Sequence, residues 1–220
     1  MRPLLKALAL GAFAATPAGA ARACDIALLL AIDVSGSVDE GEYSFQTEGL
    51  SAALSDPAIA DEILRRDVAL AVMEWSGVGQ QRLVMPWQHM DSAATLAAFA
   101  DRAGGLQRSW DGSDTAVGDA IAFATAVFAR APRCRSRVLD ISGDGDQNAG
   151  GPLAPSRRAA LAGGIAINAV AIEGIGVSIT EFYRRHVISP RGFVLTARGH
   201  LDYPRAIREK ILREVTVPGM

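Results

Sequence analysis

Lysine and histidine are scarce in this 220-residue sequence, and basic residues as a whole do not outnumber acidic ones. Lysine occurs only at Lys6 and Lys210, and the formal net charge is −2, so overall charge gives no attraction to nucleic acid. The three histidines lack the spacing, with one another or with cysteine, that a zinc site requires. Beyond the first residues, no uncharged apolar run approaches the ~20 residues that a membrane span needs. With half of its residues apolar, the chain has the composition of a globular domain.

The first 23 residues have the parts of a secretory signal peptide. Two positive charges occur within the first six residues, residues 7–15 form a short apolar run, and small residues follow at 18–23. We therefore expect cleavage near Ala20 to Ala23 and a soluble mature protein that is periplasmic or secreted. Cleavage after Ala23 would place Cys24 first, so lipid modification of this cysteine stays an alternative, although the preceding residues fit a lipobox poorly.

The remaining residues, 24–220, are predicted to form a single domain in which strands alternate with helices. The predicted strands span residues 25–33, 67–75, 81–87, 137–142, 165–172 and 193–196. The predicted helices span residues 42–54, 92–103, 115–130, 155–162, 180–187 and 203–215. This alternation is typical of the α/β class, with a doubly wound, mostly parallel sheet between two layers of helices. The hairpin-like connection at 76–79 indicates that the third strand is antiparallel and at an edge.

Oxygen-bearing side chains follow the first predicted strand at alternate positions. Asp33, Ser35 and Ser37 are separated by Val34 and Gly36, and alternation aims the three side chains in one direction. Aspartate and serine are also ordinary capping residues, so this pattern alone is a weak signal. Two more oxygen ligands stand at other junctions: Thr115 before a helix, and Asp144 after a strand. Together they supply the ligands that Mg²⁺ prefers, at the strand ends where such folds bind ligands.

The order and spacing of Asp33, Ser35, Ser37, Thr115 and Asp144 resemble the metal-ion-dependent adhesion site (MIDAS) of von Willebrand factor A (VWA) domains. The Ser142-Gly143-Asp144-Gly145 turn is similar to that of a subgroup of secreted bacterial VWA domains of unknown function. The resemblance implies a six-stranded sheet in which the first and fourth strands are central neighbours. It implies that Ser35 and Ser37 bind the metal directly, Thr115 directly or through water, and the two carboxylates mainly through water. A partner's Asp or Glu would complete the coordination of Mg²⁺, with Mn²⁺ and Ca²⁺ as alternatives.

The same resemblance bears on the two cysteines. Cys24 precedes the first strand and Cys134 precedes the fourth, so neighbouring parallel strands would bring both sulfur atoms to one end. A disulfide between them is expected in an exported protein. Two free thiols and a lipid-modified Cys24 are the alternatives.

Several acidic and aromatic residues near these motifs have other interpretations. The run Asp144, Asp146, Asn148 could begin a calcium loop, but the sixth and twelfth positions are alanine and proline where an EF-hand has glycine and glutamate. We expect Asp146 and Asn148 to be solvated turn residues or to line the ligand face. Asp140 is expected to hydrogen-bond to backbone or to a hydroxyl near the site. Asp114 and Asp119 are expected to be a helix-capping residue and a solvated helix carboxylate. Trp110 is expected to be either exposed at the binding face or packed against a neighbouring helix.

Motifs of enzymes are missing where catalysis would require them. The sequence has no nucleophile elbow, phosphate-binding loop or zinc-protease helix motif, and His89, His186 and His200 are expected at the surface or core edge. The alternatives to a binding module are a Mg²⁺-dependent phosphoryl hydrolase, with Asp33 as nucleophile and Asp144 on the metal, and a structural VWA scaffold without metal. The loops after the first and fourth strands contain no Lys or Arg to clamp a phosphate. We therefore expect a protein-binding module that is not an enzyme.

Overall fold

The computed structural model describes residues 24–174 and 178–217, so the expected signal peptide lies outside the described residues. Within these ranges the chain forms one six-stranded sheet flanked by helices. The strands are β1 (Cys24–Asp33), β2 (Val68–Trp75), β3 (Gln81–His89), β4 (Cys134–Gly143), β5 (Ile165–Ile172) and β6 (Val194–Ala197). The helices are α1 (Glu40–Leu54), α2 (Pro57–Arg65), α3 (Ala93–Gly104), α4 (Val117–Phe128), α5 (Leu153–Ala162), α6 (Ile179–Phe182) and α7 (Tyr203–Thr216). None of the helices in this part of the chain is long and apolar enough to cross a bilayer.

The strand order is β3-β2-β1-β4-β5-β6, with every pair parallel except β2 and β3. The order reverses at β1 and β4, which are central neighbours, so their carboxyl ends form the switch point of the sheet. The predicted fold class and the antiparallel edge strand are confirmed. We call the end of the sheet after Asp33 and Gly143 the carboxyl edge, and the opposite end, where Cys24 and Cys134 lie, the amino edge.

Both faces of the sheet are covered, which explains why β1 is apolar throughout instead of alternating. Its even-numbered side chains from Ile26 to Ile32 pack in a core cluster with residues of α1, α2, α3 and α7. The alanines and leucine between them pack in a second cluster with residues of α4, α5 and α6. The two clusters fix the sheet between its helical layers and thereby fix the carboxyl edge.

The bounds of several elements differ from the sequence prediction for identifiable reasons. Helix α2 lies outside the predicted helical ranges. It begins at Pro57, a residue suited to the first turn of a helix, and Asp56 caps it. Strand β4 begins three residues earlier than predicted, because its exposed start pairs with β1 from Cys134 onward. The predicted helix at 180–187 is instead α6 followed by a single π-helical turn, Tyr183–Val187.

A disulfide joins Cys24 to Cys134 at the amino edge. The two residues are register partners in the β1–β4 pair, with their Cα atoms 4.4 Å apart, within the usual range for a disulfide. The predicted pairing is confirmed, and the described residues contain no free cysteine. The bridge spans a sequence separation of 110 residues and lies at the end of the sheet opposite the carboxyl edge.

A buried ionic cluster attaches α7 to the centre of the sheet. The ammonium group of Lys210 pairs with Asp140 of β4 and lies 2.8 Å from Oε1 of Glu214, which also accepts a hydrogen bond from Asn168 of β5. The three ionisable side chains of this cluster are at most 3% exposed. The expectation that Asp140 bonds to backbone or a hydroxyl is therefore wrong, because the α7 ammonium reaches it instead. The cluster holds α7 in the position from which its first turn reaches the carboxyl edge.

Replacing Glu214 with glutamine is expected to remove a pH-dependent loss of stability. Burial, only partly offset by Lys210, raises the pKa of Glu214 from 4.5 to about 8. The folded protein thus holds a proton that the unfolded chain releases, so stability falls as pH rises from about 4.5 through about 8. The slope is at most about 1.4 kcal/mol per pH unit.

Urea unfolding across this range should show the decline in wild type and a flatter profile in Glu214→Gln. The exposed Glu209→Gln on the same helix is the control, and parallel profiles for Glu214→Gln and wild type would contradict the prediction.

Candidate metal centre

Four of the five predicted ligands meet at the carboxyl edge. Asp33 ends β1 and is fully buried, and Asp144 follows the last residue of β4. Ser37 donates a 2.6 Å hydrogen bond from Oγ to Oδ1 of Asp144, and its Oγ lies 3.2 Å from that of Ser35. The backbone N–H of Ser35 donates to Oδ1 of Asp33 over 2.7 Å. The loop after β1 therefore brings both carboxylates and both hydroxyls into one connected group.

The fifth predicted ligand, Thr115, lies in the segment before α4 and is 5% exposed. A Cβ added to Gly145 would stand 3.3 Å from the Thr115 hydroxyl oxygen, so that hydroxyl lies beside the turn that carries Asp144. The Asn148 side chain accepts a 2.8 Å hydrogen bond from the Thr115 N–H, and the backbone N–H of Asn148 donates to the Thr115 carbonyl. Asn148 is thus a turn residue that fixes Thr115.

Backbone contacts hold the loop after β1 in place before any ligand arrives. Gly36 donates its N–H to the Ser113 carbonyl over 2.7 Å, and a Cβ at Gly36 would stand 2.9 Å from that oxygen. Arg108 donates to the carbonyls of Val34 and Ser35, at 3.1 and 2.9 Å. The loop is therefore pre-organised, and glycine is required at position 36 because the neighbouring backbone approaches so closely.

Two carboxylates lie close together at this site, and one of them is fully buried. Burial and the nearby charge of Asp144 raise the pKa of Asp33 to about 7. Its Oδ2 atom is buried and has no hydrogen-bond partner among the described residues. A buried carboxylate is costly unless it is paired or coordinates a metal. Two carboxylates and three hydroxyls form an all-oxygen donor set, which fits a hard divalent cation.

Residues 24–174 and 178–217 contain no convergence of three or more His, Cys, Asp or Glu side chains that could hold a metal ion. The candidate centre has a different composition, because hydroxyl groups outnumber its two carboxylates. Two ionised carboxylates would balance the charge of a bound dication, and the hydroxyl groups would add oxygen ligands without adding charge.

Tyr183 lies next to the site, although no pattern in the sequence indicates it. A Cβ at Gly143 would stand 2.2 Å from the Tyr183 hydroxyl and 3.0 Å from Oδ2 of Asp33, so both unpartnered atoms converge at this glycine. Burial, followed by the charges of Asp33 and Asp144, raises the pKa of Tyr183 well above its usual value. The phenol thus stays protonated beside the carboxylate. The π-helical turn that begins at Tyr183 gives no signal in the sequence.

His200, which we expected at the surface or core edge, instead contacts the site. It lies in the short turn before α7, with Nε2 3.3 Å from Oδ2 of Asp144 and 3.7 Å from Oε1 of Glu42. Burial works against its charge, but the contacts with Asp144 and Glu42 raise the pKa of His200 above its usual value. No local motif marks this residue, because its approach depends on how α7 docks.

The residues that flank the candidate ligands differ in burial and contacts. Asp114 is exposed and does not cap α4, whose first turn has no side-chain cap. Asp119 accepts a 2.9 Å hydrogen bond from the Gly151 N–H, so the expectation of a merely solvated carboxylate is wrong. Asp146 is exposed, as expected of a solvated turn residue. Trp110 is partly buried against the core, with Arg82 5.2 Å above its ring, and is therefore pinned.

Solved structures place this architecture in one class, the von Willebrand factor A fold. A von Willebrand factor type A protein from Catenulispora acidiphila superposes with a TM-score of 0.62 at 21% identity, over 88% of this chain and 43% of that one. Proximal thread matrix protein 1 from the mussel byssus, solved with a zinc-occupied MIDAS motif, gives 0.65 at 15% identity, over 88% and 49%. The domain of the type V pili tip protein Mfa5 from Porphyromonas gingivalis gives 0.62 at 8% identity, over 91% and 99%. At such identities the likeness concerns the fold alone.

The sequence itself matches one family over residues 23–218, described as a protein of unknown function, DUF1194. The chain belongs to this family. No curated protein matches the sequence. The chain spans less than half of the length of the Catenulispora and mussel proteins.

Proposed function

We propose that this protein is a metal-dependent protein-binding module of the adhesion type. Asp33, Ser35, Ser37, Thr115 and Asp144 would hold Mg²⁺ at the carboxyl edge, with Mn²⁺ and Ca²⁺ as alternatives. An Asp or Glu of a protein or peptide partner would complete the coordination. The observation that carries the proposal is the buried Asp33 carboxylate, whose Oδ2 has no hydrogen-bond partner in the described structure although Asp144 and the hydroxyl groups lie beside it.

The chain's own residues supply three parts of this function. Ser35 and Ser37 offer neutral hydroxyl ligands, so they add no negative charge to that of Asp33 and Asp144, and a partner carboxylate would take a coordination position that the chain leaves open. Arg108 and Ser113 fix the loop backbone, which reduces the conformational entropy lost on binding. Tyr183 and His200 lie next to the two carboxylates and would orient them as outer-shell groups do at other metal sites. The zinc-occupied MIDAS of the mussel protein supports a divalent metal on this fold.

A phosphoryl hydrolase is the weaker proposal. It requires a cationic clamp for the phosphate, and the Arg108 guanidinium contacts the loop after β1. One terminal nitrogen of Arg108 donates to two backbone carbonyls and is therefore occupied in holding that loop. Its Nε is buried and has no hydrogen-bond partner among the described residues. We also propose that the protein works outside the cytoplasm, because a structural disulfide persists in oxidising compartments.

The double substitution Ser35→Ala/Ser37→Ala is expected to abolish saturable Mg²⁺ binding. It removes two hydroxyl ligands and leaves Asp33 and Asp144 in place. We would titrate Mg²⁺ and Mn²⁺ into the metal-stripped protein by calorimetry and expect one site in wild type and at least a hundredfold loss of affinity in the variant. Circular dichroism checks that the variant is folded.

The control is Ser44→Ala/Ser55→Ala, which removes two exposed serines from α1 and its carboxyl end and should bind metal as wild type does. Equal affinity in wild type and Ser35→Ala/Ser37→Ala would refute this metal site. An absence of binding to folded wild type would support a structural scaffold. Turnover of p-nitrophenyl phosphate by the metal-loaded protein would favour the hydrolase.

A further inference from the structure

The amino edge carries a cleft of about 490 Å³, at the opposite end of the sheet from the candidate metal centre. Its walls are the start of β4, the turn between α5 and β5, and the segment before β6. Arg135, Arg137 and Arg191 line it, and no acidic residue does. We call this the arginine cleft. The full sequence has a net charge of −2, so this concentration of positive charge is local.

The guanidinium groups of the arginine cleft are largely uncommitted. Arg135 is 81% exposed and pairs with Asp25 at 3.6 Å, a separation at which an exposed ion pair is weak. Arg137 donates one 3.3 Å hydrogen bond to the Gly163 carbonyl. Arg191 forms no ion pair or hydrogen bond with any described residue. Each guanidinium has five N–H donors, so most of the donors on the rim are available to an anion.

The fold holds the three arginine-bearing segments in fixed positions. The disulfide fixes the start of β4 at Cys134, next to Arg135. Ser189 lies two residues before Arg191 and forms two hydrogen bonds with Ile167 of β5. Its backbone N–H donates to the Ile167 carbonyl over 2.9 Å, and its Oγ accepts from the Ile167 N–H over 2.7 Å. A Cβ at Gly192 would stand 2.4 Å from the Ile167 carbonyl, so this segment is docked closely on the sheet. The cleft is therefore pre-formed, as ligand sites usually are.

The composition of the cleft selects a class of ligand. Planar guanidinium groups pair with phosphate oxygens in bidentate geometry, and three of them more than offset the charge of about −2 on a phosphate monoester. Val138, Leu161, Ile165 and Pro190 add apolar surface to the lining, which accommodates an apolar group attached to the phosphate. No aromatic residue lines the cleft, so it lacks the stacking platform that single-stranded nucleic acid uses. The cleft volume falls within the range of small-molecule sites.

We propose that the arginine cleft binds a phosphate ester that bears an apolar group, either as a free small molecule or as the headgroup of an anionic phospholipid. The site is independent of the candidate metal centre, because it lies at the other end of the sheet and shares no residue with it. Both sites can therefore be occupied together.

The test uses the full chain in EDTA, so that binding at the metal centre does not contribute. Phenyl phosphate and inorganic phosphate would be titrated by calorimetry, and vesicles of phosphatidylcholine with or without phosphatidylglycerol would be tested by co-sedimentation. We expect saturable binding in at least one arm, weakened at least tenfold by Arg137→Gln/Arg191→Gln. Vesicle binding that phenyl phosphate displaces identifies a lipid source, and binding of phenyl phosphate alone identifies a free ester.

The matched control is Arg184→Gln/Arg185→Gln, which removes the same charge from exposed arginines outside the cleft that pair with Glu181. It should bind within twofold of wild type. Equal loss in both double variants would reduce the effect to general electrostatics and overturn the proposal. An absence of saturable binding to wild type in both arms would also overturn it.

Discussion

Lys210→Met is expected to lower the free energy of unfolding at neutral pH by about 3–5 kcal/mol. Methionine fills a similar volume but removes the ammonium group that pairs with Asp140 and Glu214, both of which are at most 3% exposed. Burial already raises the pKa of Glu214 to about 8, so this group can stay protonated. Asp140 would then keep an unpaired charge inside the sheet, which is the source of the loss. Urea or guanidinium unfolding measures the difference.

The companion variant Asp140→Asn/Lys210→Met separates lost charge pairing from lost packing. It removes the stranded carboxylate together with its ammonium partner, so it should recover part of the stability that Lys210→Met loses. Glu209→Met, at an exposed position of the same helix, controls for the substitution itself. A Lys210→Met protein as stable as wild type would show that Asp140 has another partner. Failure of the double variant to recover any stability would assign the loss to packing.

Removal of the disulfide by Cys24→Ala/Cys134→Ala is expected to cost about 2–5 kcal/mol of unfolding free energy. The bridge closes a loop with a sequence separation of 110 residues, and long loops give the largest entropic effect on the unfolded chain. Cys24 is fully buried, so alanine avoids placing a new polar group in the core. Equilibrium unfolding with and without a reducing agent provides the measurement.

Reduction of the wild type should reproduce the loss, whereas the alanine variant should be insensitive to reductant. Mg²⁺ affinity of the folded variant should remain within about twofold of wild type, because the bridge lies at the amino edge. Wild type and variant of equal stability would refute the prediction. A large change in metal affinity would instead couple the amino edge to the carboxyl edge.

The fold could be predicted because its signals are local and repeated. Apolar runs such as residues 25–33 alternate with helical spacing, and this alternation determines the class of sheet. Cys24 and Cys134 stand at the starts of the first and fourth strands, and their pairing follows if these strands are parallel neighbours. The prediction leaves out the first three residues of β4, because Arg135 and Ser136 interrupt the apolar pattern although this part of the strand pairs with β1.

The candidate site was predictable only where its residues follow a strand or precede a helix. Asp33, Ser35 and Ser37 are consecutive alternate positions, and the sheet topology brings Asp144 to them. The sequence does not indicate that Arg108, Tyr183 and His200 lie at the site. Arg108 reaches it through the path of a loop, Tyr183 through a π-helical turn, and His200 through the docking of α7. Asp140 was assigned the wrong partner for the same reason, since Lys210 is 70 positions away.

The position of the disulfide also bears on how the domain would carry mechanical tension. Strand β1 begins at Cys24, and α7 ends at Thr216, whose carbonyl accepts a hydrogen bond from Arg66 just before β2. The first strand therefore begins, and the last described helix ends, at the amino edge. A partner pulling at the carboxyl edge would load the hydrogen bonds of the β1–β2 and β1–β4 pairs in shear, across many bonds at once. Since the covalent bridge joins β1 to β4 at the amino edge, it would keep the two central strands from sliding past each other.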